Sequence, residues 1–233
     1  MTATGRLRAA RGLLTAFAAT SAAHLGAIAA GATALQHATK PALMPLLAAW
    51  TLAAAPRAPG LLVPALLAST AGDVLLQVGG DTAFLAGMGA FAAAHVCYVT
   101  MFAKLGAFDD RRRGLLVAAG YATAWAVLIT QLWPGLGGLR VPVAAYSLLL
   151  ASTAVSSAGL GLWTGVGGGL FLLSDTLIAT RLADWTPLPG HDLWVMATYC
   201  AAQYLLARGA VRAGRPAADT AGRPAGTRLG APA

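Results

Sequence analysis

The sequence lacks glutamate altogether, and charged side chains make up only 10% of its 233 residues. Soluble domains carry about 25% charged residues, so this composition excludes an ordinary soluble fold. Hydrophobic residues account for 58% of the chain, which is typical of a protein that lies within a lipid bilayer. The sequence therefore predicts an integral membrane protein.

Cysteine and histidine are also scarce, and neither forms a metal-binding pattern. The two cysteines, Cys97 and Cys200, lie inside apolar segments without the spacing of metal ligands, which indicates small buried side chains. His24, His37 and His191 show no ligand spacing either, whereas a zinc hydrolase site needs paired histidines. We therefore expect no metal site and no cofactor.

The formal net charge of +8 at pH 7 indicates an anionic partner. The arginines are confined to the two termini and to short connectors, and aromatic residues do not alternate with them along a groove. This distribution favours contact with anionic membrane lipids over binding of nucleic acid. We expect no nucleic acid partner.

Breaking the chain at proline, glycine and charge leaves eight apolar segments, each near the roughly 20 residues that span a bilayer. This pattern predicts an all-α membrane bundle of about eight transmembrane helices within residues 12–211. A basic cytoplasmic segment, residues 1–11, precedes it, and a disordered basic tail, residues 212–233, follows it. The first segment also fits a signal peptide, but its length favours a retained helix. The predicted spans are residues 12–35, 41–55, 60–79, 82–104, 114–133, 140–159, 162–181 and 191–211.

The charge of the connectors predicts the orientation of the bundle. With eight spans, the basic residues of both termini, Arg57 and the connector 104–113 fall on one side of the membrane. Only Lys40, Arg140 and Arg181 fall on the other side. By the positive-inside rule both termini are expected in the cytoplasm, and the expected location is the plasma membrane of a bacterium.

Two of the eight aspartates lie well inside apolar runs, Asp73 in "LLASTAGDVLLQ" and Asp175 in "GLFLLSDTLIAT". If their spans begin near Gly60 and Leu162, each lies 13 residues into its span, about 20 Å from the cytoplasmic face. A mid-membrane aspartate costs about 2.5–3.5 kcal/mol and normally faces a cavity or a partner. Burial favours the neutral acid, so two neighbouring carboxyls are expected to share one proton, which suits acid/base catalysis. The alternative is that each is a neutral acid hydrogen-bonded to a neighbouring helix.

A weak internal repeat relates the two aspartate segments. Lys40 lies 33 residues before Asp73, Arg140 lies 35 residues before Asp175, and each basic residue is soon followed by a proline. The motifs "GDVLL" and "SDTLI" share a small residue, the acid and two aliphatic residues. If the repeat is real, the eight spans form two parallel four-helix halves in which spans three and seven are equivalent. Chance similarity in a chain rich in Ala and Leu is the alternative.

Five successive motifs resemble those of a known membrane family: "TKPALMPLLAAW", "LLASTAGDVLL", "FLAGMGAFAAAHVCYV", "GLFLLSDTLIA" and "WVMATYCAAQYLL". In this order and spacing, from Thr39 to Leu206, they resemble the YhhN-like lysoplasmalogenases. These membrane hydrolases cleave the vinyl ether bond of lysoplasmalogens to a fatty aldehyde and a glycerophospho-alcohol. The resemblance implies that Asp73 and Asp175 are catalytic. It implies six substrate-binding residues, Lys40, His95, Tyr146, Ser174, Tyr199 and Gln203.

The chemistry that the resemblance implies suits a pair of membrane carboxyls. Hydrolysis of a vinyl ether is limited by protonation of its β-carbon, which yields an oxocarbenium ion to which water adds. A neutral carboxylic acid can donate that proton, and a neighbouring carboxylate can stabilise the cation and deprotonate the water. Lys40 and Arg140 are candidates for binding the lipid phosphate, and both also fit helix-end anchors. The expected partners are a lysophospholipid substrate and membrane lipids.

Some of these residues have a second interpretation. Counting along its span places His95 nearer the cytoplasm than the aspartates, so a packing role is as compatible with its position as a catalytic one. Tyr199 and Gln203, one turn apart on one helix face, either line the cavity or tie helices together.

The main alternative function is a proton-coupled transporter in which each aspartate loads and releases a proton. Helices broken by Gly or Pro around both acids are typical of such transporters, and only "TGVGGGL" before Asp175 partly fits. An intramembrane aspartyl protease is disfavoured because the chain has no GxGD motif. A purely structural membrane protein is the remaining interpretation if neither aspartate has a chemical role.

Overall fold

The computed structural model describes residues 2–55 and 59–214, and these residues form eight α-helices and no β-strand. The prediction of an all-α bundle is thereby confirmed. A short 3-10 helix, Gly137–Leu139, precedes the sixth α-helix. Arg57 and residues 215–233 of the predicted tail lie outside the described residues, whereas Arg212 and Ala213, also predicted to be disordered, belong to the last helix. The helices are α1 (Ala3–Ala29), α2 (Thr33–Ala54), α3 (Leu62–Val78), α4 (Asp81–Lys104), α5 (Arg111–Leu132), α6 (Arg140–Gly159), α7 (Leu162–Leu182) and α8 (His191–Ala213).

The first two helices have different boundaries from the predicted spans. α1 begins at Ala3, and the Thr2 hydroxyl caps it by accepting a hydrogen bond from the Gly5 N–H at 3.2 Å. The helix ends at Ala29, and Gly31 adopts a left-handed conformation (φ +66°) that reverses the chain into α2. Neither a proline nor a charged residue marks this turn. A prediction from hydrophobicity alone therefore continues the first span to residue 35.

The composition of the helices fits a membrane bundle. Five of them, α1, α4, α5, α6 and α7, are long and apolar enough to cross a bilayer. α3 is also apolar but has only 17 residues, whereas α2 and α8 have 22 and 23 residues and carry more polar side chains. Large apolar side chains of α5, such as Leu115 and Leu116, are exposed on the outside of the bundle, where lipid would cover them. The chain is therefore an integral membrane protein.

The packing order supports two four-helix halves. Within each half, every helix packs on the next along the chain, from α1 to α4 and from α5 to α8. Between the halves, α4 packs on α6 and α8 packs on α2, which are equivalent contacts if the halves are exchanged by a two-fold rotation. α1 also packs on α8, whereas the corresponding pair, α5 and α4, forms no comparable contact, so the two halves are only approximately equivalent. In this arrangement α3 and α7, which carry the two aspartates, hold equivalent positions.

α7 is continuous through its glycine-rich stretch. A side chain at Gly167 would lie 2.9 Å from the Leu205 Cβ of α8, and one at Gly168 would lie 2.8 Å from the Ala154 Cα of α6. These glycines therefore let the neighbouring helices approach closely, as small residues do between membrane helices. The stretch "TGVGGGL" has a packing role and does not break the helix.

Candidate active site

A narrow pocket brings six of the eight predicted site residues together. It has a volume of about 80 Å³ and lies between α2, α3, α4, α6, α7 and α8, with apolar side chains over most of its wall. The six residues are Lys40, Asp73, Tyr146, Ser174, Asp175 and Tyr199.

No group of three or more His, Cys or Asp side chains in the described part of the chain is arranged to hold a metal ion.

Asp73 is buried in the pocket wall with two partners. Lys40 Nζ lies 3.4 Å from Asp73 Oδ1, and the Tyr199 hydroxyl donates a hydrogen bond to Oδ2 at 2.7 Å. Such partners are what a buried carboxylate requires, since burying a charge without them is costly. Gly72 allows α4 to pack beside the acid, because a Cβ at this position would lie 2.5 Å from the ring of Phe91.

Asp175 has different surroundings. The Tyr146 hydroxyl of α6 donates a hydrogen bond to Asp175 Oδ2, and no Lys or Arg of the described residues forms an ion pair with this carboxyl. The Tyr146 oxygen also lies 3.3 Å from His95 Nε2, and His95 Nδ1 lies 3.0 Å from Thr153 Oγ1. A hydrogen-bonded chain therefore runs from Asp175 to His95, which is fully buried behind Tyr146 and does not line the pocket.

Two phenylalanines that are not among the predicted site residues hold the ring of Tyr199. The rings of Phe91 and Phe171 make edge contacts with Tyr199, with centroid distances of 6.0 and 5.6 Å. Phe171 lies four residues before Asp175, and Phe91 lies four residues before His95. Because residues four apart share a helix face, this spacing is the signal that could have identified them.

Two of the predicted substrate-binding residues bind other protein groups. Ser174 lines the pocket, but its hydroxyl donates a hydrogen bond to the Val195 carbonyl of α8 at 3.0 Å. Gln203 is fully buried away from the pocket. Its Nε2 donates to Ser69 Oγ at 3.0 Å, and its Oε1 accepts from the Tyr98 hydroxyl at 2.6 Å. Gln203 therefore ties α8 to α3 and α4.

Arg140, a candidate for binding the lipid phosphate, contacts the end of α5. Its Nε donates a hydrogen bond to the Trp133 carbonyl at 2.8 Å, and its Nη2 donates to the Pro134 carbonyl at 3.3 Å. The guanidinium carbon also lies 5.9 Å from the centroid of the Trp133 ring. In this position Arg140 hydrogen-bonds to backbone carbonyls that follow the last turn of α5.

Two further cavities adjoin the pocket, and they share no lining residue with each other. The polar cavity shares Lys40 with the pocket and lies where α7 ends and α8 begins. The apolar cavity shares Tyr146 and Asp175 with the pocket and lies between α5, α6 and α7. The polar cavity is lined by residues that include His24, Gln36, His37, Gln77, Arg181, His191 and Asp192. The apolar cavity is lined by residues that include Trp125, Leu128, Ile129, Leu150 and Leu172.

Arg181 and His191 were not among the predicted site residues. Arg181 lies in the last turn of α7, and His191 is the first residue of α8. Neither belongs to a motif with recognisable spacing, and only the packing of several helices around one cavity brings them together. The sequence carries no local signal that could have identified them.

Known proteins with similar sequences cover most of the chain. A lysoplasmalogenase of Mycobacterium bovis is 35% identical over 156 residues, which are 64% of this chain and 59% of that protein. The human lysoplasmalogenase TMEM86B is 36% identical over 161 residues, which are 68% of this chain and 67% of that protein. The rat lysoplasmalogenase TMEM86B is 34% identical over 175 residues, 74% and 71% of the two chains.

The match to the mycobacterial protein covers about three fifths of that protein's length. No solved structure matches the chain. The sequence profile of the YhhN family matches residues 35–210, a range that includes both aspartates and all six other predicted site residues. The chain therefore belongs to the YhhN family.

Proposed function

We propose that this protein is a membrane-embedded lysoplasmalogenase, which hydrolyses the vinyl ether bond of a lysoplasmalogen to a fatty aldehyde and a glycerophospho-alcohol. The observation that carries the proposal is that Asp73 and Asp175 line one largely apolar pocket from two different helices. The names of the mycobacterial and mammalian relatives support the same reaction.

The order of the three cavities supports a lysolipid substrate. A lysoplasmalogen consists of a charged headgroup, a glycerol backbone, the vinyl ether and one long apolar chain, in that order. The polar cavity, the pocket with the aspartates and the apolar cavity adjoin one another in the same order. In the proposed complex the apolar chain lies between α5, α6 and α7, and the vinyl ether lies between Asp73 and Asp175.

We assign the role of general acid to Asp175. No cation of the described residues accompanies this carboxyl, and the apolar wall of the pocket favours its neutral form. The Tyr146 hydroxyl, which donates a hydrogen bond to Asp175, stabilises the carboxylate that remains after the proton is transferred. In the first step the Asp175 proton bonds to the β-carbon of the vinyl ether through the electron pair of the double bond. The other carbon and the ether oxygen then share the positive charge of an oxocarbenium ion.

Asp73 is the carboxylate of the pair, because Lys40 and the Tyr199 hydroxyl both stabilise its ionised form. Its charge stabilises the oxocarbenium ion, and it accepts a proton from the water that attacks this ion. The resulting hemiacetal then collapses. The proton of its hydroxyl group passes to the glycerol oxygen as the bond between that oxygen and the hemiacetal carbon breaks, so the aldehyde forms and the glycerol oxygen leaves as an alcohol. Over these steps Asp175 loses one proton and Asp73 gains one. Before the next turnover a proton therefore passes from Asp73 back to Asp175 within the pocket. This hydrolysis involves no net redox change, and the mechanism requires no cofactor.

We also propose that both termini lie in the cytoplasm of a bacterium and that the pocket opens toward the outer half of the plasma membrane. The basic residues in the first turns of α1, at the end of α4, at the start of α5 and at the end of α8 all lie at one end of the bundle. Asp73 and Asp175 lie five and seven residues before the opposite ends of their helices, which is about 7 to 11 Å. This depth suits a bond that lies just below a lipid headgroup.

The experiment that tests the function is the release of aldehyde from lysoplasmalogen by the purified protein in detergent. We expect aldehyde without added metal, and activity that survives a chelator, because the mechanism uses carboxyls and water. A proton-coupled transporter with the same aspartates forms no product. Absence of aldehyde from a folded, monodisperse protein would therefore favour the transporter over the hydrolase.

A further inference from the structure

We propose that the polar cavity binds the phosphate of the lysophospholipid headgroup, with Arg181 and His191 as its main hydrogen-bond donors. The proposal rests on the proposed function, since it takes the two aspartates as the place where the ether bond is cleaved. Neither Arg181 nor His191 belongs to the site that the sequence motifs predict. We therefore infer the ligand from the hydrogen-bond donors that line the polar cavity and from the position of this cavity beside the two aspartates.

The cavity is large enough for a headgroup and has few fixed charges. Its volume is about 350 Å³, and it lies at the end of the bundle where α1, α3 and α7 end and α2 and α8 begin. Its two permanent cations each contact one carboxylate, Lys40 that of Asp73 and Arg181 that of Asp192. The low net charge suits a headgroup whose phosphate is accompanied by an ammonium group. Hydrogen-bond donors therefore identify the ligand better than net charge does.

His191 is the donor that lacks a partner. Its side chain lines the cavity and is only 6% exposed, and neither ring nitrogen has a hydrogen-bond partner among the described residues. A buried polar group without a partner is unfavourable, and native structures rarely leave one unexplained. His191 is also the first residue of α8, where the helix dipole favours a negative charge. A phosphate oxygen in the cavity would accept the missing hydrogen bond.

Arg181 supplies the second set of donors. Its Nη2 lies 2.7 Å from Asp192 Oδ1, and this pair holds the half-exposed guanidinium beside the cavity. A guanidinium has five N–H donors in a planar fork, so one contact with Asp192 leaves others for an incoming anion. Arginine binds phosphate with two parallel hydrogen bonds for the same reason.

The distance along α7 fits the lipid. Arg181 follows Asp175 by six residues, which is about 9 Å of helical rise. In a lysoplasmalogen only the glycerol backbone separates the vinyl ether from the phosphate. Lys40 lines both the polar cavity and the pocket, so the two spaces adjoin at the point where the glycerol would lie. A phosphate bound by Arg181 therefore leaves the vinyl ether beside the aspartates.

The test compares the binding of two uncleavable lipids to the full-length protein in detergent. One is a saturated alkyl lysophosphoethanolamine, and the other is the alkylglycerol with the same chain and no phosphate. We expect the wild type to bind the phospholipid more tightly, and we expect Arg181→Gln and His191→Leu each to reduce this preference about tenfold, as for the loss of a charge-assisted hydrogen bond. Arg140→Gln removes the same charge outside the cavity and should keep the preference.

Thermal unfolding separates binding from folding. His191→Leu removes buried nitrogens that have no partner, so we expect weaker phosphate binding without a lower unfolding temperature. A lower unfolding temperature with an unchanged phosphate preference would indicate a structural role and overturn the proposal. Equal affinity of the wild type for both lipids would also overturn it.

Two further arms identify the source of the phosphate and separate this proposal from the hydrolase. Inorganic phosphate at the concentration of the lipid should not displace it, and displacement would mean that the cavity binds free phosphate and not a headgroup. Aldehyde release is measured on the same preparations. Aldehyde without a phosphate preference overturns the headgroup site alone. A phosphate preference without aldehyde supports the headgroup site and contradicts the hydrolase alone.

Discussion

Lys40 Nζ lies 3.4 Å from Asp73 Oδ1, on the side of the pocket that faces the polar cavity. No Lys or Arg of the described residues forms an equivalent ion pair with Asp175. α3 and α7 hold equivalent positions in the bundle, yet their carboxyls have different electrostatic surroundings. Differences of this kind allow two like acids to take the roles of acid and base in one site.

Asp73→Asn and Asp175→Asn should each remove nearly all turnover. An amide has almost the shape of the carboxyl but cannot donate or accept the catalytic proton, and such a group contributes about 10²–10⁴-fold to the rate. Aldehyde release from lysoplasmalogen measures the effect. Retention of more than about a tenth of the activity by either variant would mean that this residue is neither acid nor base.

The matched control for both variants is Asp81→Asn. Asp81 is exposed at the start of α4 and belongs to neither the pocket nor the polar cavity. Its variant should keep wild-type turnover, and all three proteins should elute as single species in detergent. Loss of activity in Asp81→Asn would show that the assay reports something other than the two pocket carboxyls.

Lys40→Met should lower both turnover and stability, because it leaves the Asp73 carboxylate buried without its cation. Since the Lys40 side chain is 18% exposed, we expect a loss of about 1–3 kcal/mol in the free energy of unfolding and not the full cost of a dry ion pair. The double variant Lys40→Met/Asp73→Asn should recover most of this stability but no turnover. Wild-type stability of Lys40→Met would contradict the ion pair as a support of the carboxylate.

Tyr146→Phe and Gln203→Leu should separate chemistry from packing. Tyr146→Phe removes the hydrogen bond to Asp175 and should lower kcat by about 10–100-fold, the effect expected for a hydrogen bond to a group that ionises. Gln203→Leu leaves the Tyr98 hydroxyl without its acceptor and should cost about 1–3 kcal/mol of stability instead. Steady-state kinetics and thermal unfolding of both variants test the distinction. A raised KM in a fully stable Gln203→Leu would instead support Gln203 as a substrate-binding residue.

Reporter fusions test the proposed orientation. Fusions after Arg113 and after Gly214 should report the cytoplasm, and fusions at Asp81 and at Pro134 should report the outside, because eight helices alternate in direction and the basic connectors stay inside. A C-terminal fusion that reports the outside would contradict the count of eight spans. It would also remove the argument that both aspartates lie in the outer half of the membrane.

Hydrophobicity was sufficient to predict the number of helices and the two aspartates, because charge inside an apolar run is conspicuous in any membrane sequence. It was insufficient at Gly31, where a single glycine ends α1 within an apolar stretch. Helical spacing could also have identified Phe91 and Phe171, one turn before residues that the motifs already mark.

The polar cavity could not be predicted from the sequence. It depends on five helix ends meeting at one end of the bundle, and the sequence of one helix does not show what its end faces. For the same reason Arg140 and Arg181 looked alike as basic residues on one side of the membrane. In the structure one contacts the backbone that follows α5, and the other lines the cavity next to the aspartates.

The most direct test of the central claim is product analysis with three lysolipids that share headgroup and chain length but carry a vinyl ether, an alkyl ether or an ester. If Asp175 protonates a carbon, the vinyl ether lipid should release aldehyde, and the alkyl ether should be inert because it has no double bond to accept the proton. A diacyl lipid should be a poor substrate if the narrow pocket admits one chain. Fatty acid from the ester without aldehyde from the vinyl ether would contradict the account and indicate a lysophospholipase, and no product from any lipid would indicate a transporter.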